Sequence, residues 1–517
     1  MTRGVVAAGH EDTAKAALEI LKEGGNAFDA AVGAGFAAGA AEPLLTSLGG
    51  GGFFLARTED KEERLYDFFV QTPRRFLKPE DLDFHPIHAD FGVATQEFHI
   101  GLGSVAVPGT VAGLFAVHRD LGRLPIQKIL APAIRLCREG VVVNPFHAYL
   151  FRMIDPIVRA TAEARRLFES PGTPGQMVQE GDPLKLPEMA DTLEALSKEG
   201  PDLFYRGELA HRLVEQCRNG GCLNLDDLAS YRVERRRPLE FSYRGNRLLT
   251  NPPPSCGGIL IAFALQLLER SEIPAADPQS PGDLIPLAWT MELTNKARAD
   301  AMAKEADWSR AAAQFLDPEF LEIYRRDIAS RASALRGTTH LNVVDAQGNV
   351  AGLSLSTGEG SGHILSGTGI MLNNMLGEED LSPQGFHRIP QNQRMSSMMA
   401  PTLLFQRDGT VVALGSGGSN RIRTAIVQVL RHLIDHGLPL EAAVGFPRIH
   451  NERGLLSLEP GFPTETIEAL AKNFPKLMLW EQKNLFFGGV HAVAFHPTQG
   501  LVGVGDPRRF GACLVSS

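Results

Sequence analysis

A chain of 517 residues with 44% hydrophobic and 21% charged residues has the composition of a globular protein, long enough for two or three ordinary domains. Its formal net charge of −9 speaks against a role on nucleic acid or an anionic membrane, either of which needs a basic face. The five cysteines, Cys137, Cys217, Cys222, Cys256 and Cys513, are odd in number and scattered, and read as reduced thiols rather than a disulfide framework.

Met1-Thr2-Arg3-Gly4 shows neither the apolar stretch nor the cleavage site of an export signal, so a cytoplasmic protein is expected. The longest apolar segments, such as Ala30 to Ala41, are too short or too rich in small residues to span a bilayer. Apolar spacing predicts a helix over Ala14–Lys22, ended by Gly24-Gly25, and a second over Ala27–Ala41, whose alanines and glycines suit close packing. Gly33-Ala34-Gly35 within it lacks the spacing and the preceding strand of a dinucleotide loop. Gly49–Gly52 lacks the Lys-Ser/Thr of a phosphate cradle and reads as a strand entry in close backbone contact. Residues 110–141 read as helical, with Pro125 and Pro132 as breakers or helix starts. Residues 145–236 are mostly helical, including Met189–Lys198 and Leu209–Asn219, and Arg235–Arg237 reads as a solvated basic face. A strand at 246–250, a buried helix over Gly257–Glu269 and a helix over Ala288–Lys304 follow, then a polar linker from Asp327 to Gly337. Further on, Thr402–Phe405 and Thr410–Leu414 flank Arg407-Asp408-Gly409 as a hairpin, and Arg423–His436 reads as a helix.

The chemistry concentrates in Gly337-Thr338-Thr339-His340-Leu341-Asn342-Val343-Val344-Asp345, a strand that enters the turn-rich Ala346-Gln347-Gly348-Asn349 and returns as Val350–Ser356. A threonine hydroxyl needs a base to act as nucleophile. Cutting the Gly337–Thr338 bond would give Thr338 its own α-amine, with a pKa of roughly 7.7–8.0, as that base. Gly337 lets the hydroxyl approach its carbonyl, and the branched Thr338 side chain has few rotamers. A turn centred on Gln347 places Thr338 opposite Ser356, bringing a second hydroxyl beside the first. On its own the segment also reads as an ordinary hairpin whose threonines favour strand geometry. His340 shares the Thr338 face, and its expected role is structural; Asp345 and Asn349 are assigned to the turn.

Blocks along the whole chain resemble those of the γ-glutamyltranspeptidase family of N-terminal-nucleophile hydrolases. They are Gly4–His10, Glu23–Ala31, Glu42-Pro43 with Gly49–Phe53, Val107–Gly113, Pro252–Gly258, Leu372-Asn373-Asn374, Ser396-Ser397-Met398, Gly415–Gly418 and Asp506-Pro507-Arg508. The resemblance implies an α+β fold, a four-layer αββα sandwich of two antiparallel sheets. It implies self-cleavage before Thr338 into a large segment, 1–337, and a small segment, 338–517, that stay together as one intertwined domain. By the same carry-over, Thr338 is the nucleophile and Ser356 the neighbouring second hydroxyl. Ser396 and Ser397 grip the substrate carboxylate. Gly417 and Gly418 supply the oxyanion amides, an alignment that can slide by one because Ser419-Asn420 interrupts the family spacing. The acid that holds the substrate amine maps to Glu378, with Glu379 and Asp380 close enough to compete.

Substrate recognition departs from the pattern. The family arginine after Asp67-Phe68 is replaced by Phe69, which turns a carboxylate site towards an apolar one. Arg74, Arg75 or Arg394 could stand in for it, although Arg74 and Arg75 read better as a solvated loop pair. Met375 replaces the glutamine expected after Asn373-Asn374, and Gly358 replaces the asparagine expected two residues past Ser356. The segment Gly358–Gly362 is about two residues shorter than the family pattern.

The expected activity is that of a threonine amidohydrolase or acyltransferase working through an acyl-enzyme. γ-Glutamyl transfer or glutathione hydrolysis is its default. A non-glutamyl acyl amide, as for oxamate or cephalosporin acylases, is the alternative, and an uncut binding protein is the reading from another class. The partners expected are a small-molecule amide and the chain's own two segments, with pairing of two processed units left open. Gly-x-Ser-x-Gly is absent, His10-Glu11 lacks the second histidine of a zincin, and no Cys-x-x-Cys occurs, so neither metal nor cofactor is expected.

Overall fold

The computed structural model describes residues 2–90, 95–269, 277–305, 308–325, 338–382 and 385–516. In chain order the strands of the two large sheets are β1 (Gly4–Ala8), β2 (Gly51–Arg57), β3 (Glu63–Phe68), β4 (Glu234–Arg236), β5 (Leu239–Tyr243), β6 (Asn246–Thr250), β7 (Thr339–Asp345), β8 (Val350–Ser356), β9 (Thr402–Phe405), β10 (Val411–Gly417), β11 (Gly489–His496), β12 (Gly500–Val504) and β13 (Ala512–Ser516). The helices that bear on the candidate residues are α1 (Glu11–Lys22), α2 (Ala27–Ala41), α3 (Thr110–Leu121), α4 (Ile126–Glu139), α5 (Gly257–Glu269), α6 (Pro281–Lys304) and α7 (Asn420–Ile434). The chain forms two compact units. One comprises Met1–Arg236, Arg336–Met395 and Ala512–Ser517, the other Arg237–Leu335 and Ser396–Gly511.

The first unit holds an antiparallel sheet in the order β13-β1-β7-β8-β2-β3-β4. Helix α2 covers one of its faces. Asn26 and Asp29 cap its N-terminus reciprocally, and all fifteen of its residues are buried. Its glycines serve contact rather than a nucleotide: a Cβ on Gly33 would lie 2.9 Å from the Ile129 carbonyl of α4, and one on Gly35 would lie 2.9 Å from Leu353 Cδ2 of β8. The β7–β8 turn is built by Asp345. Its Oδ1 accepts the N–H groups of Gln347 at 3.0 Å and Asn349 at 3.1 Å. Its Oδ2 accepts Asn349 Nδ2 at 2.9 Å and the Ala27 N–H at 3.0 Å, tying the turn to the start of α2.

The second unit holds an antiparallel sheet in the order β12-β11-β10-β9-β6-β5, and α5 and α7 pack on each other. Behind α7, Arg448 pairs with Asp506 at 2.7 Å, and Arg508 pairs with Asp506 at 3.2 Å and also with Glu459, all fully buried.

Several elements differ from expectation. Pro125 starts α4 as its N-cap, but Pro132 lies inside the helix instead of breaking it. Helix α6 begins at Pro281, seven residues before the predicted Ala288, because Ser280 precedes a proline in the first turn, where proline has no intrahelical bond to lose. The predicted basic face at Arg235–Arg237 includes β4, from which Arg236 bonds the fully buried Asp67 at 2.8 Å. The predicted linker falls wholly outside the described residues. Among the described residues, no helix is long and apolar enough to cross a membrane, and no group of three or more His, Cys, Asp or Glu is placed to hold a metal ion. The five cysteines are unpaired, and burial pushes the Cys137 and Cys217 thiols up to about 12.

Buried histidines set a pH dependence. Burial pushes His147 and His432 down to about 3 and His491 to about 4. Below the unfolded value of about 6.5, the unfolded chain therefore binds protons that the folded chain refuses, and stability falls with pH. Burial raises Asp506 and Glu452, but Arg448 and Arg508 around the first and a bond from His450 to the second hold both at about 2; their stabilisation is present above the ordinary carboxylate range and is lost as pH falls towards 2. The melting temperature is expected to fall from about pH 6.5 downward and more steeply below about pH 4, which thermal unfolding across that range will measure.

Candidate active site

Thr338 stands immediately before β7. The β7–β8 ladder pairs Thr339 with Leu355 and His340 with Ser354, and the next pair outward is Thr338 with Ser356. Thr338 Oγ1 and Ser356 Oγ lie 3.5 Å apart, both side chains buried. The pairing is the one expected from a turn centred on Gln347, and no bulge interrupts the ladder from Val344 opposite Val350 to Thr339 opposite Leu355. The Gly358 N–H donates to Ser356 Oγ at 3.1 Å, so the second hydroxyl is oriented from its far side. The next pair on the same face is His340 and Ser354, with His340 Nδ1 and Ser354 Oγ 2.8 Å apart. Gly337 lies outside the described residues.

Glu378 joins this group through Gly358. Gly358 has a φ of +69°, and a Cβ on it would lie 2.0 Å from Asn374 Oδ1 and 2.9 Å from Glu378 Oε1. The space that the expected asparagine at 358 would fill is thus taken by Asn374, whose Oδ1 accepts the Glu359 N–H at 3.0 Å. Of the three competing acids, Glu378 is buried beside Gly358 and Glu379 is exposed; the Asp380 side chain lies outside the described residues. Met375 is buried, its N–H held by Asn373 Oδ1 at 3.2 Å.

Phe69 lies on the Thr338 face. Phe53 of β2 opposes Ser354 and so shares that face, and the Phe69 ring stacks on Phe53 with centroids 5.7 Å apart at 19°. Gly51 opposes Ser356, and a Cβ there would lie 2.8 Å from Val70 N and 3.0 Å from the Phe69 carbonyl carbon, so the chain at Phe69 runs against the ladder position next to Ser356. Arg394 does not replace the missing arginine. Its buried guanidinium donates to the Phe69 carbonyl, to the Tyr231 hydroxyl at 2.6 Å and to the Arg232 carbonyl at 2.5 Å, and it pairs with Asp67 at 3.4 Å. The Tyr231 hydroxyl also donates to the Phe69 carbonyl at 2.8 Å, and burial raises its pKa, keeping that donor protonated. Arg74 and Arg75 are exposed, as a solvated pair should be. The clamp on Phe69 was hidden from sequence reasoning, since residues 69, 231 and 394 share no local pattern.

The remaining candidates belong to the second unit. Ser396 Oγ is 3.6 Å from Cys256 Sγ. Ser397 Oγ accepts the Met399 N–H at 3.1 Å, and its carbonyl accepts the N–H groups of Cys256 at 2.7 Å and Gly257 at 3.1 Å. Gly417 ends β10, and Gly418 (φ +117°) and Ser419 (φ +52°) turn the chain into α7. Two successive left-handed residues aim the backbone at the N-terminus of a fifteen-residue helix, where the amides carry the positive end of the dipole. Helix α7 starts three residues before the predicted Arg423, with Ser419 as its N-cap and Asn420 as its first residue.

The sequence profile described as Gamma-glutamyltranspeptidase matches residues 13–516. The chain belongs to the γ-glutamyltranspeptidase family. It is similar to the glutathione hydrolase proenzyme of Escherichia coli K12, 30% identical over 98% of this chain and 90% of that one. It is similar as well to the acylase ACY 1 proenzyme of Pseudomonas sp. strain V22, 32% identical over 100% of this chain and 94% of that one. Among solved structures, the cephalosporin acylase from Bacillus halodurans superposes with a TM-score of 0.85 at 26% identity, covering 99% of this chain and 96% of that one. The chain is therefore an enzyme of this γ-glutamyltranspeptidase family, with the α+β fold of its N-terminal-nucleophile hydrolases. Both of these curated relatives are described as proenzymes, one a glutathione hydrolase and the other an acylase.

Removing the hydroxyl opposite Thr338 should slow turnover. Ser356→Ala is expected to lower kcat by about tenfold to a hundredfold, the worth of one hydrogen bond to a developing charge, as read by steady-state kinetics on any amide the wild type cleaves.

Proposed function

We propose that this protein cuts itself before Thr338 and uses that threonine to hydrolyse or transfer an acyl amide whose acyl group is not clamped by an arginine. Thr338 Oγ1 attacks the amide carbonyl while its freed α-amine takes the hydroxyl proton and passes it to the leaving amine. The ester left on Thr338 is then released to water or to an amine acceptor. Ser356 steadies the attacking oxygen, and the Gly417 and Gly418 amides are the oxyanion donors that the family pattern assigns. Ser396 and Ser397 are the carried-over substrate serines.

The observation that carries the acyl preference is the stacked Phe69–Phe53 pair on the Thr338 face, together with the engagement of Arg394 elsewhere. An aromatic wall favours an apolar or planar acyl chain over a free α-carboxylate. The neighbour named a cephalosporin acylase is in keeping with an amide substrate other than glutathione. A γ-glutamyl group is the second reading, favoured by buried Glu378 beside Gly358, which suits a substrate amine.

The association of the two segments after cutting has support in the sheet of the first unit. Strands β1 and β2 come from 1–337, whereas β7, β8 and β13 come from 338–517, and the ladders β13–β1, β1–β7 and β8–β2 join them.

Intact mass of the wild type should show two species divided between Gly337 and Thr338, and Thr338→Ala should show one. A single uncut wild-type chain would sink the nucleophile assignment. On the processed enzyme, simple acyl amides are expected to exceed γ-glutamyl anilides in kcat/KM by at least about tenfold, the size of one missing polar clamp. The reverse order would establish the γ-glutamyl reading.

A further inference from the structure

The face of the first unit's sheet opposite the candidate nucleophile carries a buried carboxylate with no part in the reaction described above. Glu42 caps the C-terminus of α2 and is 1% exposed. Its Oε2 accepts the Thr339 hydroxyl at 2.5 Å, and its Oε1 accepts the Thr13 hydroxyl of α1 at 2.8 Å. The Thr339 contact has the length of a charge-assisted O–H···O bond. The end of β1 is shaped around it: a Cβ on Gly9 would lie 2.4 Å from Glu42 Oε2 and 2.9 Å from Thr339 Oγ1. The location is unfavourable for a carboxylate on two counts, because burial and the negative end of a helix dipole both disfavour its charge. Two hydroxyl bonds offset part of that cost, and Thr339 is the residue that adjoins Thr338.

We infer that Glu42 is a positioning residue for the nucleophile, acting through Thr339. This inference rests on the reading of Thr338 as the residue freed by cutting. Once the preceding bond is broken, Thr338 becomes the first residue of its strand, and strand ends fray unless tied down. Thr339 is the first residue paired in the ladder, opposite Leu355, and the Glu42 bond holds its side chain on the helix side. Alternation along a strand then sends the Thr338 hydroxyl to the other face, towards Ser356. A loose Thr339 would let the terminal residue rotate, and the hydroxyl would meet both its partner and the substrate carbonyl less often.

The test compares Thr339→Val, Thr339→Ser and Thr13→Val. Thr339→Val removes the grip on the strand end, and Thr339→Ser restores it. Thr13→Val removes a bond to the same carboxylate at the same depth without touching the strand end, so a merely structural role would make it equivalent to Thr339→Val. Appearance of the 338–517 fragment is followed by intact mass, and the processed proteins are then assayed for kcat and KM. We expect Thr339→Val to slow cutting and lower kcat by tenfold or more with KM within twofold, Thr339→Ser to match the wild type, and Thr13→Val to change the melting temperature alone. Equal losses in Thr339→Val and Thr13→Val, or a Thr339→Val protein that cuts and turns over normally, would overturn the inference and leave the Thr338 reading standing. An uncut wild type would overturn both. If Thr339→Val does not fold, Glu42→Gln takes its place, its oxygen still accepting one threonine hydroxyl and its amide N–H donating to the other: wild-type cutting is expected, and a tenfold loss would overturn the hydrogen-bonding role.

Discussion

The register of the β7–β8 ladder is the constraint on which the candidate site depends. A shift of one residue would send Thr338 to the helix-covered face and bring Thr339 out in its place. Asp345 prevents that shift by accepting four hydrogen bonds in and around the turn, one of them from the first residue of α2. Thr338 is therefore positioned from seven residues away, by the side chain that builds the turn. Its two faces are also treated unequally. One receives helices α1 and α2 and the Glu42 contact, and the other carries the hydroxyl pair, His340 and the Phe53–Phe69 stack.

The same sheet shows how closely backbones approach around the site. In β2 and just ahead of it, a Cβ on Gly50 would lie 2.3 Å from the Ser356 carbonyl oxygen, and one on Gly52 would lie 2.2 Å from that of Ser354. The strand carrying the second hydroxyl is thus pressed against a run of residues without side chains. That leaves space on the Thr338 face for the chain at Phe69, whose carbonyl is then locked by Tyr231 and Arg394. A fixed aromatic surface, Phe69 stacked on Phe53, therefore stands on the same face as the hydroxyl pair.

What could be read from the sequence was local. The register about Gln347, helix α2 to its exact ends, the Gly49–Gly52 strand entry and the hairpin at Arg407–Gly409 all follow from patterns a few residues long. What could not be read depended on partners far along the chain. Arg394 looked like a substitute substrate ligand until its neighbours at 69, 67, 231 and 232 were in place. Asn374 filling the room above Gly358 is invisible without the fold, because the two lie on different turns of the chain. The early start of α7 was also not legible, because its N-cap Ser419 is a non-glycine residue at positive φ, which is rarely anticipated from sequence.

The order of strands in the first unit has a consequence for inheritance and assembly. Reading across the sheet, the small segment supplies β13, the large one β1, the small one β7 and β8, and the large one β2, β3 and β4. Neither segment owns an uninterrupted set of neighbours that could form this sheet by itself. Two separately made halves would each present open edges on several sides, which is how unpaired strands come to aggregate. If the chain is cut before Thr338 as proposed, a break made before every strand has found its place would leave open strand edges in this sheet, so the strand order favours folding first and cutting afterwards.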